Sequence, residues 1–260
     1  MFLLAATTVQ PAATWIVLIL ALGLALGFEF VNGFHDTANA VATVIYTHAL
    51  PPNVAVVWSG IWNLLGVLFS SGAVAFGVVA LLPVELVLNV DSASGYAMVF
   101  ALLVSAIVWN LGTWSLGLPA SSSHTLIGSI LGVAFANAML HQESFGHGVN
   151  WGQAREVGLS LLVSPVVGFL GAGLLLLLLK RFVRDAVLFA APEPGVTPPR
   201  WIRSILVFTC TGVSFAHGSN DGQKGMGLVM LILVGICSDS VVAVNDAVRP
   251  SAKVTRVLGP

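Results

Sequence analysis

Residues 12–43, AATWIVLILALGLALGFEFVNGFHDTANAVAT, pass from an unbroken apolar run into a polar one with no loop signal between them. That continuity decides the fold class. The first part, about 12–31, has the length of a membrane-crossing helix, which needs roughly 20 apolar residues. In the second part Glu29, Asn32, Asp36, Asn39 and Thr43 are spaced by three, four, three and four. This spacing lines them on one helical face, opposite Phe28, Phe30, Phe34, Ala38, Val41 and Ala42. A carboxylate at membrane depth costs several kcal/mol unless it is paired, hydrated or coordinated. Two carboxylates, two carboxamides and a hydroxyl on one stripe are therefore expected to face the protein interior. Their oxygens suit a hard cation such as Na⁺, or a proton on Asp36.

Composition supports the same class. Of 260 residues, 57% are hydrophobic and 8% charged, with a mean hydropathy of +0.96. A soluble domain carries about 25% charged residues, so a water-exposed surface cannot be built from this chain. The apolar length suffices for about six to eight segments of roughly 20 residues. Net charge is −1, and no basic patch of the kind nucleic acid requires is present. Cys210 and Cys237 stand alone in apolar stretches and fit no disulfide or metal spacing, so they are read as small core residues. The first Lys or Arg is Arg155. The run Trp15–Leu26 thus lacks the positive flank of a signal peptide and is read as a retained first span.

Further along, His48–Asn53 with Pro51-Pro52 reads as a turn. Apolar segments follow at about 54–82 and 96–117, separated by a stretch holding Pro83, Glu85, Asn89 and Asp91. Gly117-Leu118-Pro119 breaks the chain before another apolar segment ending near Leu140. Residues 141–156 are polar, and a long span covers about 157–179. Five of the ten Lys and Arg, namely Lys180, Arg181, Arg184, Arg200 and Arg203, fall between 180 and 203. The positive-inside rule places that Pro-rich loop in the cytoplasm. Most of the tryptophans sit near segment ends, as in an interfacial belt.

A second polar cluster, Phe215-Ala216-His217-Gly218-Ser219-Asn220-Asp221-Gly222-Gln223-Lys224-Gly225-Met226-Gly227, is also embedded in apolar sequence. At an offset of 185 from the first, Phe30 meets Phe215, Gly33 meets Gly218 and Asp36 meets Asp221. Glycine-interrupted polar segments duplicated in two halves point to a secondary-transporter site near the midplane. Gly222, Gly225 and Gly227 are expected to let the backbone unwind or approach a ligand. Asp221 and Lys224, three apart, also suit a simple ion pair. Between the clusters, Pro119 ends one helix and Ser121, Ser122 and Ser123 open the next, followed by His124 and Thr125. A helix start in a membrane suits an anion, because its N–H groups and dipole favour negative charge, although the serines also suit plain capping. The sum is a cation site and an anion site, the toolkit of a cation-coupled anion carrier. A Ser-His-Asp hydrolase is disfavoured: adjacent Ser and His diverge by about 100° on a helix, and no Gly-x-Ser-x-Gly elbow is present.

At these residues the chain resembles the inorganic phosphate transporter (PiT) family, the low-affinity phosphate permeases. Asn32–Ala42 resembles one copy of its duplicated Gly-x-Asn-Asp-like signature, with His35 where Asn is usual, and Gly218–Gly225 resembles the second. Leu118–Thr125 is similar to its Pro-x-Ser-x-x-His motif. The resemblance implies an all-α polytopic membrane protein with re-entrant or broken helices and an inverted repeat. It implies import of inorganic phosphate, in bacterial members also as a neutral metal–phosphate complex, by symport with H⁺ or Na⁺, with no other cofactor. Substrate residues would be Ser121, Ser122, Ser123, Thr125, Asn220, Gln223 and Lys224. Coupling-cation residues would be Asn32, His35, Asp36, Asn39 and Asp221.

The corresponding organisation is a first repeat at 1–180, a linker at 181–201, the start of a second repeat at 202–237 and a polar tail at 238–260. Family members continue for another half-length with a second Pro-x-Ser-x-x-His. The expectation is therefore a C-terminally truncated, multi-pass protein of the inner (plasma) membrane in contact with lipid. It would work with its missing half or as a homo-oligomer. A sulfate permease of the same fold and a non-transporting assembly subunit are the competing readings.

Overall fold

The computed structural model describes residues 12–83, 93–118, 120–144, 146–183, 186–192 and 195–248, with side chains described except at 12–14, 93, 186, 187 and 234–248. Pro119, Glu85, Asn89, Asp91, Arg184, Pro194, the side chains of Cys237, Asp239 and Asp246, and Arg249, Lys253 and Arg256 lie outside the described residues.

The described residues form α1 (Ala12–Tyr46), α2 (Pro52–Leu68), α3 (Ala73–Leu81), α4 (Ala93–Ser115), α5 (Ser122–Leu140), α6 (Trp151–Phe182) and α7 (Arg200–Val248). A short 3-10 turn covers Ala186–Phe189, and no strand occurs among the described residues. Among the described residues four helices, α1, α4, α5 and α6, are long and apolar enough to cross a membrane, and the bent pair α2–α3 is a fifth where it counts as one broken span rather than a re-entrant loop. The chain is an all-helical, multi-pass membrane protein.

Local sequence sets most boundaries. α1 ends in a turn with His48 at φ 54°, and α2 starts with Pro52 in its first turn, where a missing N–H costs nothing. Asn53, read as turn, is already inside α2. Gly117, at φ 65°, closes α4: Gly117 N–H donates to Trp114 O at 3.0 Å and Leu118 N–H to Thr113 O at 2.9 Å. This left-handed glycine cap ends the helix before Pro119 is reached.

Three expectations change. The apolar run 54–82 is not one helix, because α2 and α3 are bent by 76° at Phe69–Gly72. Ser70-Ser71-Gly72 supplies the break, with Gly72 at φ 77°. The second polar cluster, conversely, is not unwound, since α7 runs helically through Gly222, Gly225 and Gly227. α7 also passes 237 and continues to Val248, because Ser238–Val248 contains no Gly or Pro to stop it.

The glycines of α7 do something else: they let helices touch. A Cβ at Gly218 would overlap the Asn63 carbonyl, one at Gly222 the Val67 side chain, and one at Gly225 the Glu29 side chain. A Cβ at Gly227 would come within 2.8 Å of Ala75 O. Close backbone approach is the main route to helix association where lipid removes the hydrophobic drive. Buried hydroxyls add to it, with Ser214 Oγ donating to Ser59 Oγ at 2.8 Å.

The pairs Ser59–Ser214, Asn63–Gly218 and Val67–Gly222 advance together, so α2 and α7 run in the same direction. α1 runs opposite to α7: Val44 clusters with Cys210 at one end, and Glu29 meets Gly225 at the other. α4 runs alongside α1, through Gly27–Ile107 and Phe34–Trp114. Phe28, Leu103, Leu126 and Ile232 form the core joining α1, α4, α5 and α7. Cys210 is a buried core thiol, as read from the sequence.

Candidate functional site

The start of α5 distributes its hydroxyls in several directions, since successive helical residues turn by about 100°. Ser121 is the N-cap, its Oγ accepting from His124 N–H at 3.5 Å. Ser122 Oγ donates to Asp36 Oδ2 at 3.1 Å and ties α5 to α1. Ser123 Oγ accepts from Lys224 Nζ at 2.5 Å and ties α5 to α7. Thr125 turns back, its Oγ1 donating to Ser121 O at 3.1 Å. Four hydroxyls read as one anion cradle thus serve one cap, two helix–helix links and one backbone bond.

Lys224 is the centre of the second cluster. Its Nζ also lies 2.5 Å from Asp221 Oδ1, with the lysine side chain 8% exposed and the aspartate 22%. An ammonium this far from water needs both partners, because an uncompensated buried charge costs several kcal/mol. Asp36 lies within electrostatic reach of Asp221, His217 and Lys224. The two signature segments therefore meet, and Asp36 and Asp221 belong to one polar region.

A cavity of about 520 Å³ opens on this region between α3, α5, α6 and α7. Ser123, Asn220, Asp221 and Lys224 line it together with Ser160 and Ser164 of α6. Neither α6 serine was singled out from the sequence. Their four-residue spacing on an otherwise apolar helix was the available signal.

Other predicted site residues lie elsewhere. Gln223 is buried, and its Oε1 accepts from Val74 N–H at 2.9 Å and Ala75 N–H at 3.4 Å. It satisfies the free N–H groups at the start of α3, while its Nε2 donates to Ser219 O. Ser121, His124 and Thr125 line a separate cavity of about 880 Å³ between α4 and α5, with Ser105, Trp109 and Thr113. His35 lines a third space beside Phe34, Trp114 and Gly117. Along the α1 stripe Asn32 is 3% exposed, whereas Asn39 and Thr43 are exposed and Phe28, assigned to the opposite face, is fully buried. The stripe turns out from beneath α7 after Asp36.

Comparison with known proteins gives this arrangement a context. The chain is 49% identical over 234 residues to the low-affinity inorganic phosphate transporter PitB of Escherichia coli (strain K12), covering 86% of this chain and 47% of that protein. It is 48% identical over 233 residues to PitA of the same strain, again covering 86% of this chain and 47% of the relative. A probable low-affinity inorganic phosphate transporter of Bacillus subtilis (strain 168) is 33% identical over 219 residues, which is 84% of this chain and 60% of that protein. The chain spans about half the length of the E. coli relatives. No solved structure matches it. The model of the Phosphate transporter family covers residues 32–257, both polar clusters and the helix start between them, and the chain belongs to that family.

Proposed function

We propose that this chain takes part in importing inorganic phosphate across the inner (plasma) membrane by cation symport, with phosphate held in the cavity of Ser123, Asn220 and Lys224. One observation carries the reading: a buried lysine, shared between Ser123 and Asp221 at 2.5 Å each, lines a cavity on the family's own signature. An ammonium and a hydroxyl converging on one cavity give a tetrahedral oxyanion both charge and hydrogen bonds. Asp36 and Asp221 are the residues assigned to the coupling cation, H⁺ or Na⁺. Substrate taken as a neutral metal–phosphate complex fits the same cavity, in which Asp221 faces Lys224. The opposed directions of α1 and α7, each carrying one signature, support an inverted repeat. Because the relatives are about twice as long, the reading extends to a working unit that includes a further half or a second copy.

The test is uptake of labelled phosphate by cells lacking their own carriers. Lys224→Ala and Asp36→Asn should each lower uptake at least about tenfold, the equivalent of 1.4 kcal/mol. Wild-type uptake above background that either variant equals would sink the site assignment. Excess sulfate that competes as well as unlabelled phosphate would move the reading to a broader oxyanion carrier. Uptake that appears only with a second, co-purifying polypeptide would make the chain a subunit.

A further inference from the structure

The carboxyl of Glu29 has no role in the site described above, yet its Oε1 is buried without a hydrogen-bond partner. One turn along α1, Asn32 Oδ1 is in the same position, on a residue only 3% exposed. Side chains three apart on a helix are neighbours, and the Asn32 side chain and the Gly225 N–H both reach the Glu29 carboxyl, leaving Oε1 as its unpaired oxygen. Two buried acceptors side by side each forfeit their bonds to water, and an ionised carboxylate adds the cost of charge. The pair is a ready proton site: a carboxyl O–H formed on Glu29 would donate to Asn32 Oδ1 and satisfy both atoms, and until it forms the charge of Lys224 offsets the carboxylate. A metal ion suits the pair poorly, since a hard cation gathers about six oxygens and this pair offers two.

We propose that Glu29 is a proton-binding residue of this chain, coupled through Lys224 to occupancy of the phosphate cavity. The inference rests on the phosphate reading of that cavity and deepens it. Glu29 lies directly against Gly225, so its carboxyl meets α7 one residue from Lys224. Lys224 is thus the positive charge facing both Glu29 and Asp221. Asp36 on α1 lies within electrostatic reach of Lys224, Asp221 and His217. α2 and α3 carry no titratable side chain, and α4 carries only Tyr96.

The coupling follows from competition for one ammonium. In the structure Lys224 Nζ is held by Ser123 and Asp221. Phosphate in the cavity draws the ammonium to its own oxygens, and Glu29 loses the charge that offsets it. A hydronium ion from solvent then gives its proton to Glu29: one O–H bond forms at the carboxylate as one breaks in the hydronium, which leaves as water. When phosphate leaves, the ammonium returns and the proton is released.

The test is calorimetry of the purified, detergent-solubilised chain titrated with inorganic phosphate in two buffers of different ionisation enthalpy, which counts protons taken up per phosphate bound. Wild type should take up about one proton more than Glu29→Gln, while both bind phosphate. Gly225→Ala, whose Cβ would lie 2.7 Å from Glu29 Oε1, should lower the count although no cavity group changes. Glu29→Asp keeps an acid on a shorter arm and should retain the uptake with a shifted pH profile, which decides the matter if Glu29→Gln does not fold. An unchanged count in Glu29→Gln, a wild-type pH profile in Glu29→Asp, or binding that needs Na⁺ and moves no proton each overturns the proposal alone. Absence of phosphate heat from wild type overturns the phosphate reading and this coupling with it.

Discussion

α6 and α7 reverse the rule that holds in water. α6 is apolar from Val157 to Leu179 but for Ser160 and Ser164, yet it has no buried residue. α7 carries Asp221, Lys224 and four glycines in its middle, and it packs against α1, α2 and α3. In a soluble protein the apolar helix would be the core and the polar one the surface. In lipid a leucine gains little by leaving the hydrocarbon, so burial goes to surfaces that permit backbone contact or must satisfy polar groups. Glycine and charge mark the interior of this molecule beside its apolar core of Phe28, Leu103, Leu126 and Ile232.

Three substitutions would break or sharpen that contrast. Gly218→Val forces side-chain atoms into the Asn63 carbonyl and should destabilise the fold by about 3 kcal/mol or more, read as a lower midpoint in detergent unfolding. An unchanged midpoint would mean that α2 and α7 are not in contact. Leu170→Arg on α6, at a site 61% exposed, should cost about 2.5 kcal/mol in a membrane-insertion assay. Free insertion would show that this face of α6 meets water or protein instead of lipid. Ser214→Ala removes the buried bond to Ser59 and should cost only about 0.6 kcal/mol, the usual size for a hydrogen bond between membrane helices. A loss several times larger in the same unfolding assay would make hydroxyls, and not glycines, the principal link between α2 and α7.

The same contrast explains what could be read from the sequence. Spans follow from hydropathy, and α1, α4, α5 and α6 lie close to where the apolar runs put them. That Asp36 and Asp221 are equivalent positions of two polar segments was legible too, through charges that apolar sequence could not tolerate singly, but that they lie in one polar region was not. Contact directions were not. Glu29 to Thr43 share a face on α1, but only the portion beneath α7 is enclosed, and where two helices cross is not encoded in either one's periodicity. For the same reason Ser121, Ser122 and Ser123, one run in sequence, serve three different neighbours. The glycines of 218–227 carry one signal for two outcomes, unwinding and close packing. Only the fit of Asn63, Val67 and Glu29 against them decides between the two.

The tie between α1 and Lys224 also has a consequence for biosynthesis. Glu29 and Asp36 emerge from the ribosome roughly 190 residues before the lysine that faces them, a delay of roughly 10–40 s at 5–20 residues per second. During that interval α1 must enter the bilayer with two carboxyl groups whose cationic partner does not yet exist. Its long apolar N-terminal half, Trp15–Phe28, supplies the insertion energy that lets it wait. The order of synthesis thus demands that the most polar span be preceded by an apolar run, and this is the junction within residues 12–43.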